Sequence, residues 1–285
     1  MTEFLKSIFQ YDFMVRAISV GALVSLCSAL LGVSMVLKRY SMIGDGLSHV
    51  GFAAMAAAAA CGIAPLKTAI PVCIVAAVLM LRISGNSRIK GDATTAIVCS
   101  GALATGVMII SLSSGMNTDV NNYMFGSILS LSAEDAAISR WLSVAVIVLF
   151  LFFYNKLFTV TFDENFAKAT GTGAGVYNTV LAVLTAVTVV IGMKMMGALL
   201  ISSLIIFPAL SSMRVCKRYK SVVICSAVIS VVCFIAGILI SFGFSTPAGA
   251  SVVCTNLLAF VIFAIIGAVS RKVKKREILP NSVES

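Results

Sequence analysis

The sequence predicts an all-α integral membrane protein of about nine transmembrane helices, forming a single transmembrane domain over residues 1–285. Three observations carry this. Hydrophobic residues make up 60% of the chain and charged residues 11%, where a soluble domain carries about a quarter charged. Mean hydropathy is +1.06, and apolar runs of about 20 residues, enough to span a hydrocarbon core as a helix, recur along the chain. The charges gather in short clusters between those runs. The net charge of +10 is therefore assigned to loops beside a membrane, since a nucleic-acid partner would need a soluble basic face.

The first run, 14–37, is closed by Lys38 and Arg39 and is too long for the apolar region of a signal peptide, so it reads as an uncleaved span following Lys6 and Asp12. The second, 43–62, starts on a polar Gly-Asp-Gly segment and continues as an alanine-rich stretch. The third, 66–82, follows Pro65 and stops at Arg82; the fourth is 93–113. Ser132-Ala133-Glu134-Asp135 fits an N-cap for the fifth, 136–155. The sixth and seventh, 177–193 and 196–213, are separated only by the tight Met193-Lys194-Met195-Met196 junction, where Lys194 is expected to snorkel outward and Pro208 to kink its helix. The eighth is 221–242, and the ninth, 248–269, follows Thr246-Pro247 and is closed by a basic cluster from Arg271 to Arg276.

Alternating the loops across nine spans sorts Lys and Arg 16 against 5. The positive-inside rule then expects the N-terminus outside and the C-terminus in the cytoplasm. Small residues at four-residue spacing, Gly21/Ser25, Ser28/Gly32, Ala53/Ala57 and Gly101/Thr105, permit close helix approach. The eight cysteines form no C-x-x-C and mostly sit in apolar runs, so they read as small buried side chains.

There is no Gly-Lys dipeptide and hence no Walker A loop, and a single histidine rules out H-E-x-x-H chemistry. An enzyme is not expected. Any active transport would draw on an ion gradient or on a separate ATPase subunit.

Asp45 and His49 stand i, i+4 at the start of the second run, so carboxylate and imidazole share one helix face. An acid within a span costs about 2.5–3.5 kcal/mol on insertion scales, which favours a polar pathway or partner over lipid. The other local reading is a helix cap plus a hydrogen bond to a neighbouring helix. As metal ligands, two side chains are too few; two copies about a symmetry axis would supply four, with N and O donors suited to zinc or manganese.

Residues 162–171 read as a short surface helix with Asp163 and Glu164 at its start and glycines 171, 173 and 175 closing it. It would either dock in a partner's cleft or connect two spans at the interface. Ser114 to Asp135 is the longest polar stretch and is expected to be a partly helical external segment.

Several stretches in order, Lys38 to His49, Tyr123-Met124-Phe125-Gly126 with the following Ser-x-Glu-Asp, Met193 to Leu200, Phe207-Pro208-Ala209 and Thr246-Pro247-Ala248-Gly249, resemble the permease subunit of bacterial zinc/manganese-type ABC importers. The resemblance implies an architecture similar to the vitamin B12 importer-type permease, working as a homodimer in the bacterial inner membrane. Cytoplasmic ATPase subunits and an extracytoplasmic metal-binding protein would be its partners. It implies that Asp45 and His49 contact the transported divalent metal, with no cofactor bound permanently. It further implies that 162–171 is the coupling helix seated in the ATPase, with Asp163, Glu164, Ala167 and Gly171 on its motif, although Glu-x-x-Ala departs from the wider E-A-A-x-x-x-G pattern. The Lys-x-x-Gly-Ala-Leu-Leu stretch and the Thr-Pro-Ala-Gly turn resemble the zinc branch more than the manganese branch. A manganese or iron importer, or a gradient-driven secondary carrier, is the alternative.

Overall fold

The computed structural model describes residues 12–86, 91–114, 126 and 132–278; the chain start and most of Ser114 to Asp135 lie outside the described residues. Among these every regular element is a helix: α1 (Asp12–Leu37), α2 (Ser41–Ala60), α3 (Pro65–Asn86), α4 (Gly91–Ser114), α5 (Ala133–Phe152), α6 (Tyr154–Phe162), α7 (Glu164–Ala169), α8 (Ala174–Met196), α9 (Ala198–Val215), α10 (Tyr219–Phe244) and α11 (Ala248–Ile278).

Each of the nine apolar runs coincides with a long helix, but seven are long and apolar enough to cross a membrane: α1, α3, α4, α5, α8, α10 and α11. The apolar part of α9, Leu200–Val215, is shorter, and α2 is outside the seven. Length and composition alone thus fall short of the expected nine. For α2 the reason is local, because Ser41, Asp45, Ser48 and His49 all sit in its first half. The tight junction is a true break: Gly197, with φ 85° and ψ 160°, stands alone between α8 and α9. That positive φ favours glycine. α9 continues through Pro208.

The helices α1 and α8 form the centre, with 72% and 78% of their apolar windows buried, against 17% for α4 and α11. Glycines allow α1 to sit there. A Cβ on Gly21 would strike the Phe234 ring of α10, and one on Gly32 would meet the Ile205 carbonyl of α9. Serines tie the same helix down, as Ser230 donates to the Ser25 carbonyl at 2.9 Å and Ser34 shares a 2.9 Å hydrogen bond with Tyr219. The expected close approach therefore holds for Gly21/Ser25 and Ser28/Gly32. It fails for Gly101, whose added Cβ would meet open space, because that face of α4 points away from the bundle. Outward apolar side chains such as Ile97, Leu112, Leu258 and Ile262 suit lipid rather than water.

Charges separate to two ends. Lys38 donates to the Val160 carbonyl at 2.9 Å and lies 3.6 Å from Glu164, and Tyr40, Arg82, Glu164 and Asn178 line one cleft. At the other end, Lys67 pairs with Glu134 at 3.0 Å and Lys194 with Asp135 at 2.6 Å. Lys194 therefore does not snorkel. It sits in the last turn of α8 opposite the first turn of α5, and both partners are shielded, at 16% and 19% side-chain exposure. Ser132 caps α5 as expected, accepting from the Asp135 backbone N–H at 3.1 Å.

Candidate metal site

The first half of α2 packs along α4, and small residues set how closely. An added Cβ on Gly46 would meet the Met80 methyl at 2.7 Å and Thr95 at 3.2 Å, and one on Gly106 would lie 2.6 Å from the Phe52 ring. Asp45, His49 and Phe52 recur at i, i+4, i+7 on α2, and Thr95, Cys99 and Gly106 lie along the facing stripe of α4. The two helices run side by side in the same direction, which brings Cys99 level with the acid and the histidine.

Asp45 and His49 are brought together as expected, with Nε2 of His49 3.9 Å from Oδ2 of Asp45. Their side chains are 34% and 17% exposed (Asp45 and His49), so the site is neither sealed in the core nor open to lipid along its length. The other oxygen, Oδ1, accepts a hydrogen bond from the Ser202 hydroxyl of α9 at 2.9 Å. Ser202 thereby orients the carboxylate and leaves Oδ2 facing its neighbours. The Cys99 thiol stands 4.0 Å from that same Oδ2. Ligand atoms of Asp45, His49 and Cys99 all lie within 4.8 Å of one another. An acid, an imidazole and a thiol at such spacing offer O, N and S donors to one divalent cation.

Neither Ser202 nor Cys99 was legible in the sequence. They come from helices 157 and 54 residues away from Asp45, and in one dimension each is a small residue in an apolar run. Among the described residues Cys99 is the cysteine grouped with an acid and the histidine, and Cys61 and Cys254 are exposed rather than buried as expected. Cys27 and Cys73 fit the reading as buried packing residues, with thiols directed at the backbone carbonyls of Ser143 and Leu47.

The 162–171 segment forms α7 with defined ends. The Asp163 carboxylate accepts from the Phe166 backbone N–H at 2.8 Å as N-cap. At the other end Gly171 N–H donates to Lys168 O and Thr172 N–H to Ala167 O, a Schellman closure that the φ of +75° at Gly171 permits. Glu164 binds Lys168 at 2.9 Å and Asn178 at 3.1 Å. The Lys168 hydrogen bond first, then those of Asn178 and the charge of Lys38, hold its carboxyl below the usual range. Burial pushes the Lys38 amine down despite the attraction of Glu164. Ala167 is fully buried against Val160 and Ala174, so it anchors α7 to the body. The large exposed apolar side chains of this segment are Phe162 and Phe166.

A model of the ABC 3 transport family matches residues 10–267. The manganese import system permease protein ScaB of Streptococcus gordonii is 27% identical, over 96% of this chain and 98% of its own. The high-affinity zinc uptake system membrane protein ZnuB of Haemophilus influenzae is 28% identical, over 88% of this chain and 97% of its own. Among solved structures, PsaBC from Streptococcus pneumoniae in complex with Fab superposes with a TM-score of 0.83 at 29% identity, covering 92% of this chain and 94% of that one.

Proposed function

The chain belongs to the ABC 3 transport family, and on that premise we propose that it is the membrane permease of an ATP-driven divalent metal importer, with zinc as its substrate. The observation that carries the reading is the convergence of Asp45 and His49, 3.9 Å apart, in a helix whose other residues are glycine, alanine, larger apolar side chains and two serines. An intramembrane acid and imidazole so placed have a use in a cation path and a cost elsewhere. Relatives carry both manganese and zinc names; the Lys194 and Thr246 motifs resemble the zinc branch more than the manganese branch, and an imidazole suits zinc or iron better than manganese.

In this reading all nine long helices cross the membrane. The two outside the simple length and hydropathy pattern, α2 and α9, are the ones that bring Asp45, His49 and Ser202 to the path. The 16 to 5 division of basic residues puts the α7 end and the C-terminus in the cytoplasm of a bacterial inner membrane and the N-terminus outside. Two copies form the pathway, an extracytoplasmic protein delivers the metal, and cytoplasmic ATPase subunits supply the energy.

The ATPase would seat on α7. Asp163, Glu164, Ala167 and Gly171 shape and anchor that helix, while Phe162 and Phe166 present its apolar contact. Phe166→Ala is expected to weaken ATPase association by at least about tenfold, since truncating a central aromatic anchor costs on the order of 2 kcal/mol. Its 58% exposure predicts an unchanged melting temperature for the permease alone. Co-purification of the ATPase and thermal unfolding check the two halves of this prediction.

The function is tested in a deletion strain and in proteoliposomes. Loss of the gene should impair growth under zinc chelation and not under manganese limitation. Zinc uptake by the reconstituted chain should require the ATPase and ATP. Transport driven by a proton gradient without either would overturn the reading in favour of a secondary carrier.

A further inference from the structure

We propose that Cys99 is a third metal ligand, completing within one chain an O, N, S site that selects a thiophilic divalent cation such as zinc over manganese. The inference rests on the assignment of Asp45 and His49 to the metal path and adds to it the residue that sets selectivity.

Three ligand atoms mutually 3.9, 4.0 and at most 4.8 Å apart surround a point about 2.5 Å from each, against zinc bonds of about 2.0–2.3 Å. Side-chain shifts of a few tenths of an ångström close that gap. Oδ1 of Asp45 is already engaged by Ser202, so the free oxygen is the one that faces both His49 and Cys99. Charge matches as well. A carboxylate and a thiolate carry two negative charges, equal to the charge of the ion, with the thiol proton released to solvent on binding.

Three protein ligands leave the fourth tetrahedral position open, as in zinc sites that exchange a ligand. A substrate must leave, so an open position suits a carrier better than a closed four-ligand cage. The two-copy site expected from the sequence is then not needed for coordination, because one chain supplies three donors. Thiolate is a soft donor that favours zinc, whereas manganese prefers carboxylate, carbonyl and water.

The test uses the full chain assembled with its ATPase, comparing wild type, Cys99→Ser, Cys99→Ala and Asp45→Ala. Purified protein is titrated with cobalt(II), which reports sulfur ligation through a near-ultraviolet charge-transfer band, and zinc and manganese uptake are measured in proteoliposomes. Removal of a supporting residue around a metal already costs about 10–100-fold in affinity, so both Cys99 variants should lose the band and at least about tenfold of the zinc-over-manganese preference. A band that survives in Cys99→Ser, or an unchanged preference in both variants, overturns the role of Cys99 while leaving Asp45 and His49 in place. Wild-type uptake by Asp45→Ala overturns the site itself.

Discussion

Asp45→Ala is expected to abolish uptake of the proposed substrate, zinc, while the chain still inserts and assembles with the proposed ATPase. The carboxylate is the point on which the site converges: Oδ1 is held by Ser202 at 2.9 Å, and Oδ2 faces His49 at 3.9 Å and Cys99 at 4.0 Å. Its removal takes away an anionic ligand and leaves a cation to enter an apolar bundle against an uncompensated desolvation cost. Uptake should fall at least about 100-fold, and His49→Ala should match it, because both are proposed as ligands. Ser202→Ala acts through Asp45 and should cost about tenfold or less, as removing an orienting hydrogen bond usually does. Asp45 is 34% exposed, so its loss should barely alter the melting temperature. Radioactive zinc accumulation in membranes with matched protein levels checks the series, and wild-type accumulation in Asp45→Ala or His49→Ala would refute the assignment.

Lys194→Met destabilises the folded chain by about 1–3 kcal/mol, the cost of leaving a shielded charge without its counter-ion. The 2.6 Å contact to Asp135 joins the start of α5 to the last turn of α8. There each charge also opposes the end of its helix dipole, acid at an N-terminus and amine at a C-terminus. In the single variant Asp135 keeps the Ser132 hydroxyl at 2.7 Å and loses its amine. Combining Lys194→Met with Asp135→Asn removes both charges and should restore more than half of the lost stability. Thermal unfolding in detergent reads both variants; a single variant that melts with wild type would mean that the pair contributes nothing. Two residues separate Lys194 from the Gly197 break, and Ser202 lies one turn into the next helix. A loosened α8 end should therefore also reduce zinc uptake.

The membrane class, the long helices, the cap at Ser132 and the i, i+4 pairing of Asp45 with His49 were legible because each depends on neighbours in sequence. Hydropathy over about 20 residues reports the solvent of a segment, and helical periodicity places residues four apart on one face. The short α7 was legible for the same reason, since a capping acid and a closing glycine are local signals.

Contacts between helices were not legible. A lysine at a helix end has the same sequence signature whether it reaches the interface or meets Asp135, and the choice depends on where α5 begins relative to α8. The small residues of α2 and α4 resemble those at Gly101, yet Gly46 and Gly106 admit a neighbour and Gly101 faces open space. By itself the sequence determined that an acid and a histidine share one face of a helix. The tertiary structure alone decided that Ser202 turns the acid and that Cys99 stands beside it. Coordination depends on distances of a few ångströms between helices, and local sequence patterns do not set the register of one helix against another.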